Sequence, residues 1–186
     1  MVPTVTLEVQ DVFKVSGVPT HTFVRPSSFN RLKVALRTPG RGVIVEGPSG
    51  IGKSTAVTKV LEDLGLDDKI TMLSARDVTD VEYIAHLPQM NNTGTVIIDD
   101  FHRLEDSVKG AVADLLKVTA DREDVTRKFV IVGINEAGRA LIESSPDLAN
   151  RIEVIRLETE PPSQIEALVA AGEEAFNVEI EARQHI

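Results

Sequence analysis

Five short aliphatic runs recur along the chain, at residues 42–45, 70–73, 95–98, 128–133 and 152–157. Rich in Val and Ile, and mostly without the apolar/polar alternation of a half-solvated strand, they predict strands buried in a parallel sheet. Between them the apolar positions change to helical spacing. Ala56, Val57, Val60, Leu61 and Leu64 form one stripe, closed by Gly65. Val81, Ile84 and Ala85 form a weaker one before Pro88, Val108, Val112, Leu115 and Leu116 another with charges on its far side, and Ala137, Leu141 and Ile142 a fourth. Alternating strand and helix signals of this kind predict an α/β fold. Ahead of them, Val5, Leu7 and Val9 alternate with Thr6, Glu8 and Gln10, which predicts a half-buried strand over 4–10. Ser27 or Ser28 is placed to cap a helix carrying Phe29, Leu32, Ala35 and Leu36. Pro161 and Pro162 mark a boundary, after which Ser163 opens an amphipathic helix with Ile165, Leu168 and Val169.

Composition narrows the class. A chain of 186 residues suits one domain with a substantial core, with room for a small appendage. It has no Cys, so disulfides and thiolate metal sites are ruled out, and its four His are scattered, which predicts no transition-metal site. No apolar run approaches the roughly 20 residues of a membrane span, and the N-terminus lacks a basic-then-apolar signal; a cytoplasmic protein with no membrane partner is the expectation. A formal net charge of -9 argues against a broad basic face, so nucleic acid is not indicated as a partner.

The chemistry gathers where the first aliphatic run ends. Gly47, Pro48, Ser49, Gly50, Ile51, Gly52, Lys53, Ser54 and Thr55 follow it and lead into a helix. Gly47, Gly52, Lys53 and Ser54 fit a phosphate loop, in which glycines let backbone N–H groups wrap an anion at a helix N-terminus. Lys53 would reach the β- and γ-phosphates of a nucleotide, and Ser54 would complete the shell of a Mg²⁺ bridging them. The run 95–98 ends in Asp99 and Asp100, and a carboxylate there belongs beside the Mg²⁺ shell. Asn135 lies just past the run 128–133, on the rim where open parallel sheets bind ligands; a helix cap explains it equally well. Phe23 and Val24 read as a core plug as readily as a base contact.

With these residues placed, the chain resembles the nucleotide-binding core of the AAA+ and STAND group of P-loop ATPases, from about Phe23 to Val178. Residues 47–54 match Walker A, and Ile97-Ile98-Asp99-Asp100 match Walker B. Asn135 matches sensor 1, and Asp100-Phe101-His102-Arg103-Leu104 resemble the extension of Walker B. Phe23-Val24-Arg25 resemble the adenine-contacting segment of initiator-like members. Arg151 stands where the family often carries an arginine finger, with a plain surface salt bridge as the other reading.

The resemblance implies a three-layer sandwich with a five-stranded parallel sheet in the order 5-1-4-3-2 and helices on both faces. It also implies a core over 1–160, the start of a truncated helical lid over 161–186, ATP or ADP with Mg²⁺ as ligands, self-association through the core, and effector or sensor domains outside these residues. Most AAA+ proteins carry Glu where Asp100 stands. The shorter side chain implies slow hydrolysis, as in STAND-type switches, whereas Asn135 is closer to AAA+. Four rivals stand beside an ATP-hydrolysing switch. A phosphoryl-transferring kinase lacks an acceptor-binding insertion, a GTPase lacks its guanine-reading segment, and a scaffold that binds nucleotide without hydrolysis or a DNA-loading initiator keeps the same core.

Overall fold

The computed structural model describes residues 8–13, 19, 21–66 and 70–178. They divide into two compact units: Ser28–Glu158, and the two chain ends, 1–27 with 159–186. The division therefore falls after Ser27 and after Glu158 rather than at residue 160 alone, and the N-terminal segment shares a unit with the C-terminal helix.

In chain order the helices are α1 (Val9–Val12), α2 (Phe29–Arg37), α3 (Lys53–Asp63), α4 (Val78–His86), α5 (Asp106–Asp121), α6 (Ala137–Ser144) and α7 (Pro162–Phe176), and the strands are β1 (Gly42–Glu46), β2 (Ile70–Ser74), β3 (Gly94–Asp99), β4 (Arg127–Gly133) and β5 (Ile152–Arg156). All five strands pair in parallel in the order β2-β3-β4-β1-β5, which is the expected 5-1-4-3-2 read from the other edge. Parallel neighbours need long crossovers, and helices on both faces of the sheet supply them. The central strands explain the unbroken aliphatic runs: Val43, Ile44 and Val45 in β1 and Val130, Ile131 and Val132 in β4 are fully buried. The stripe of α5 is likewise inward, with Val112, Leu115 and Leu116 in the core. Because every strand runs the same way, Glu46, Ser74, Asp99, Gly133 and Arg156 end on one rim.

The opposite rim is held by a half-buried cation. Lys128 Nζ donates to the carbonyls of Ala35, Thr38 and Arg41 at 2.7, 2.8 and 2.6 Å, closing the end of α2 against the start of β1. Burial pushes this ammonium down to about 8, with the Arg41 charge adding to the shift. The unfolded chain keeps the proton to about 10.5, so between these values it binds more protons than the folded one and stability from this group rises with pH. Denaturant titrations of wild type and Lys128→Met from pH 7.5 to 9.5 are expected to show the wild-type value gaining on the variant, by up to about 1 kcal/mol per pH unit. A gain that shrinks with pH contradicts this.

In the unit made of the chain ends, the expected strand over 4–10 is not what its described part forms. Residues 4–7 lie outside the described residues, while Val9 and Gln10 begin α1. A capping box decides it: the Glu8 side chain meets the N–H of Asp11, whose carboxylate accepts from the Glu8 N–H at 2.8 Å. Phe13 stacks on Phe176 of α7 at 6.3 Å, over Gly172, where any Cβ would strike the Phe13 ring. The helix of this unit opens on Pro162 with Pro161 at its cap, one residue earlier than the Ser163 start. No helix among the described residues is long and apolar enough to cross a membrane.

Candidate functional site

The loop that follows β1 has little freedom at its first residue and needs a special backbone at its last. A Cβ on Gly47 would sit 2.3 Å from the Leu157 carbonyl oxygen, so only glycine fits where the chain leaves the sheet beside β5. Gly52 caps α3 with φ at 90°, a left-handed turn that costs other residues energy. Between them Pro48, Ser49 and Gly50 are exposed, and Lys53, Ser54 and Thr55 begin the helix half-buried. The N–H groups at the start of that first turn lack an intrahelical partner, as at any helix N-terminus, which leaves them available to an anion.

The end of β3, distant in sequence, closes on this turn. Ser54 Oγ donates to Asp99 Oδ2 at 2.6 Å, and Asp99 Oδ1 accepts from the N–H of Asp100 at 2.7 Å. Lys53 Nζ folds over the loop and donates to the carbonyls of Gly47 and Pro48 at 3.0 and 2.7 Å. Burial pulls the Lys53 ammonium down, and the charges of Asp99 and then Asp100 pull it back up. Burial outweighs the two carboxylates, so the net shift is downward.

Asp100 adopts a left-handed backbone, φ 54°, where the chain breaks from β3 into a 3₁₀ turn over Phe101–Arg103. That turn buries Phe101 and Leu104 and leaves His102 and Arg103 outside. The Asp100 carboxylate is gripped by Arg76, whose Nε and Nη2 reach Oδ2 and Oδ1 at 2.6 and 3.1 Å. The sequence reading missed Arg76. It lies two residues past β2 on the ligand-binding rim, and that position alone was a signal.

Asn135 stands in the exposed turn after β4, two residues beyond Gly133, which is in register with Glu46. The cap reading for Asn135 is not realised: Glu136 holds the cap position of α6, and among the described residues the Asn135 side chain has no hydrogen-bond partner. Arg151 is elsewhere. It precedes β5, its carbonyl accepts from Gly42 N at 3.1 Å at the start of β1, and its guanidinium reaches Asp121 at 2.7 and 3.3 Å and the Asp147 carbonyl at 2.6 Å. That is the rim opposite the phosphate loop, and the contact is a surface ion pair. Phe23 and Val24 belong to the unit of chain ends and are half-buried there.

The donors suit Mg²⁺. A serine hydroxyl and a carboxylate in contact are hard oxygen ligands, and among the described residues no group of three or more His, Asp or Glu forms a cage of its own. An ion with so few protein ligands is one that completes its shell from phosphate oxygens and water.

A glycine-bounded phosphate loop at the carboxyl rim of a 5-1-4-3-2 parallel sheet, with a Ser–Asp pair at its foot, defines a P-loop nucleotide-binding α/β protein. Residues 43–157 match the AAA family, the ATPase family associated with various cellular activities, and the chain belongs to it as an AAA+ ATPase core. The fold is similar to that of the RuvB Holliday junction branch migration motor of Thermotoga maritima, at 20% identity and a TM-score of 0.57 over 82% of this chain and 51% of that one. It is also similar to the ORC2 protein of Aeropyrum pernix in its ADPNP-ADP complexes (15%, 0.56, 90% and 56%). DnaA of Aquifex aeolicus with bound AMPPCP is a third such structure (14%, 0.58, 85% and 55%). This chain thus spans about half the length of these structures. No curated protein sequence matches it.

Proposed function

We propose that this chain binds ATP at residues 47–55 and hydrolyses it slowly, as the nucleotide-dependent switch domain of a larger assembly. The Ser54–Asp99 contact of 2.6 Å carries the reading, because it joins the two segments that share a Mg²⁺ in such sites. Ser54 would hold the ion directly and Asp99 through water. When bound, Mg²⁺ draws charge from the β- and γ-phosphates. Lys53 would exchange its two carbonyl partners for phosphate oxygens, and Asp100 and Asn135 would orient the attacking water. The short Asp100 side chain and its engagement with Arg76 favour slow turnover, since both carboxylate oxygens are already committed to the guanidinium rather than to a water.

Arg151 would act on a neighbouring copy, releasing Asp121 to do so. Turnover per molecule is therefore expected to rise with protein concentration. Arg151→Ala is expected to abolish that rise while leaving the rate of dilute protein unchanged; a rise that survives the substitution assigns Arg151 to its ion pair alone. The second reading, an initiator-type ATPase acting on DNA, draws on the branch migration motor among its structural relatives. Against it stands the net charge of -9. Salt-dependent binding of duplex DNA by the purified chain would favour that reading.

A further inference from the structure

One buried charge on the ligand-binding rim has no place in the reaction described so far. Glu46 ends β1, immediately before Gly47, and is 1% exposed. Its Oε2 accepts from the N–H of Gly138 in the first turn of α6 at 3.0 Å, and its Oε1 accepts from Arg156 Nε and Nη2 at 3.1 and 2.7 Å. Its main chain is equally committed. Glu46 is in register with Gly133 of β4 on one side and Arg156 of β5 on the other, and its carbonyl accepts from Leu157 N at 2.8 Å.

Glu46 consequently grips both ends of the turn that carries Asn135. The backbone ladder fixes Gly133 before the turn, and the carboxylate fixes Gly138 after it. The turn itself is tight: a Cβ on Gly133 would lie 2.6 Å from Ala137 Cβ, and one on Gly138 would lie 2.8 Å from Val154 and 3.4 Å from Glu46 Oε2. The Asn135 side chain has no partner of its own to hold it among the described residues, so the placement of its turn decides where it points. A buried carboxylate is expensive unless paired and hydrogen-bonded, and a hydrophobic side chain of similar size would serve the core as well. Packing alone does not account for a charge at this position.

We infer that Glu46 is a positioning residue for hydrolysis, locking the Asn135 turn to the start of the phosphate loop through Gly138 while Arg156 neutralises its charge. The inference rests on the ATPase reading above. Wild type, Glu46→Met, Glu46→Gln, Asn135→Ala and the Glu46→Met/Asn135→Ala double variant are compared for thermal stability, ATP affinity and turnover at saturating ATP. Met fills the same buried space without the clamp, and Gln keeps part of it.

The expected result is melting within a few degrees of wild type and ATP affinity within about threefold, with turnover of Glu46→Met lowered roughly 10- to 100-fold, the scale of a misplaced catalytic group. Glu46→Gln falls between, and the double variant is no slower than Asn135→Ala, because one residue acts through the other. Wild-type turnover in Glu46→Met, a loss that follows affinity or stability, or losses that multiply in the double variant overturn the inference. Should Glu46→Met not fold, Glu46→Gln with the wild-type rate does the same. A wild type without turnover instead defeats the ATPase reading and takes this inference with it.

Discussion

Lys53→Ala is expected to weaken ATP binding by about 100-fold, from roughly 3 kcal/mol for a charge-assisted contact, and to remove measurable turnover. The ammonium sits between two supplies of negative charge. Its present partners are the Gly47 and Pro48 carbonyls; burial lowers its pKa, and the charges of Asp99 and Asp100 oppose that shift. Phosphate oxygens are stronger acceptors than carbonyls, so the exchange favours nucleotide. The fold should not notice the loss, because Pro48 is exposed and water can take its carbonyl, and melting is expected to stay within a few degrees. Titration of ATP into both proteins, with thermal melts alongside, checks this. Equal affinity would show that the loop is not the phosphate site.

Asp99→Asn is expected to leave Mg²⁺-free ATP binding intact while lowering Mg²⁺-dependent turnover on the order of 10²- to 10³-fold, as for other preorganised groups aimed at developing charge. The amide can still accept from the Asp100 N–H or the Ser54 hydroxyl, so the junction of β3 with its 3₁₀ turn should hold. What goes is the negative charge that would face a bound Mg²⁺. The same charge heads the influences raising the Lys53 ammonium, so the variant should also release the Lys53 proton at lower pH than wild type. Turnover measured against Mg²⁺ concentration reads the first effect. A rate unchanged at every Mg²⁺ concentration would remove Asp99 from the metal's surroundings.

The phosphate loop was legible because all its parts are neighbours in sequence: a strand run, glycines where the backbone must turn or pass close, then Lys53 and Ser54 on a helix start. Asp99 was legible because a carboxylate closing a buried strand is costly unless a partner at the rim uses its charge, and the phosphate loop supplies that partner. Sheet order came from family resemblance, since aliphatic runs say that strands are buried without saying beside which neighbour.

Long-range pairs were hidden. The ion pair of Arg76 with Asp100, the burial of Glu46 against Arg156 of β5, and the three carbonyls around Lys128 each depend on elements meeting across the fold. Arg151 failed to separate its two readings for the same reason, because Asp121 is 30 residues away. The error at Val9 and Gln10 was local. An alternating pattern suggested a strand, and the reciprocal Glu8–Asp11 cap turned its described end into a helix.

The most direct test of a nucleotide-binding P-loop core is calorimetric titration of ATP with Mg²⁺ into the purified chain. One saturable site per chain is predicted, with a dissociation constant between about 1 μM and 1 mM, the span typical of enzyme substrates. A titration without saturable heat at that range, from protein that melts cooperatively, would contradict the assignment.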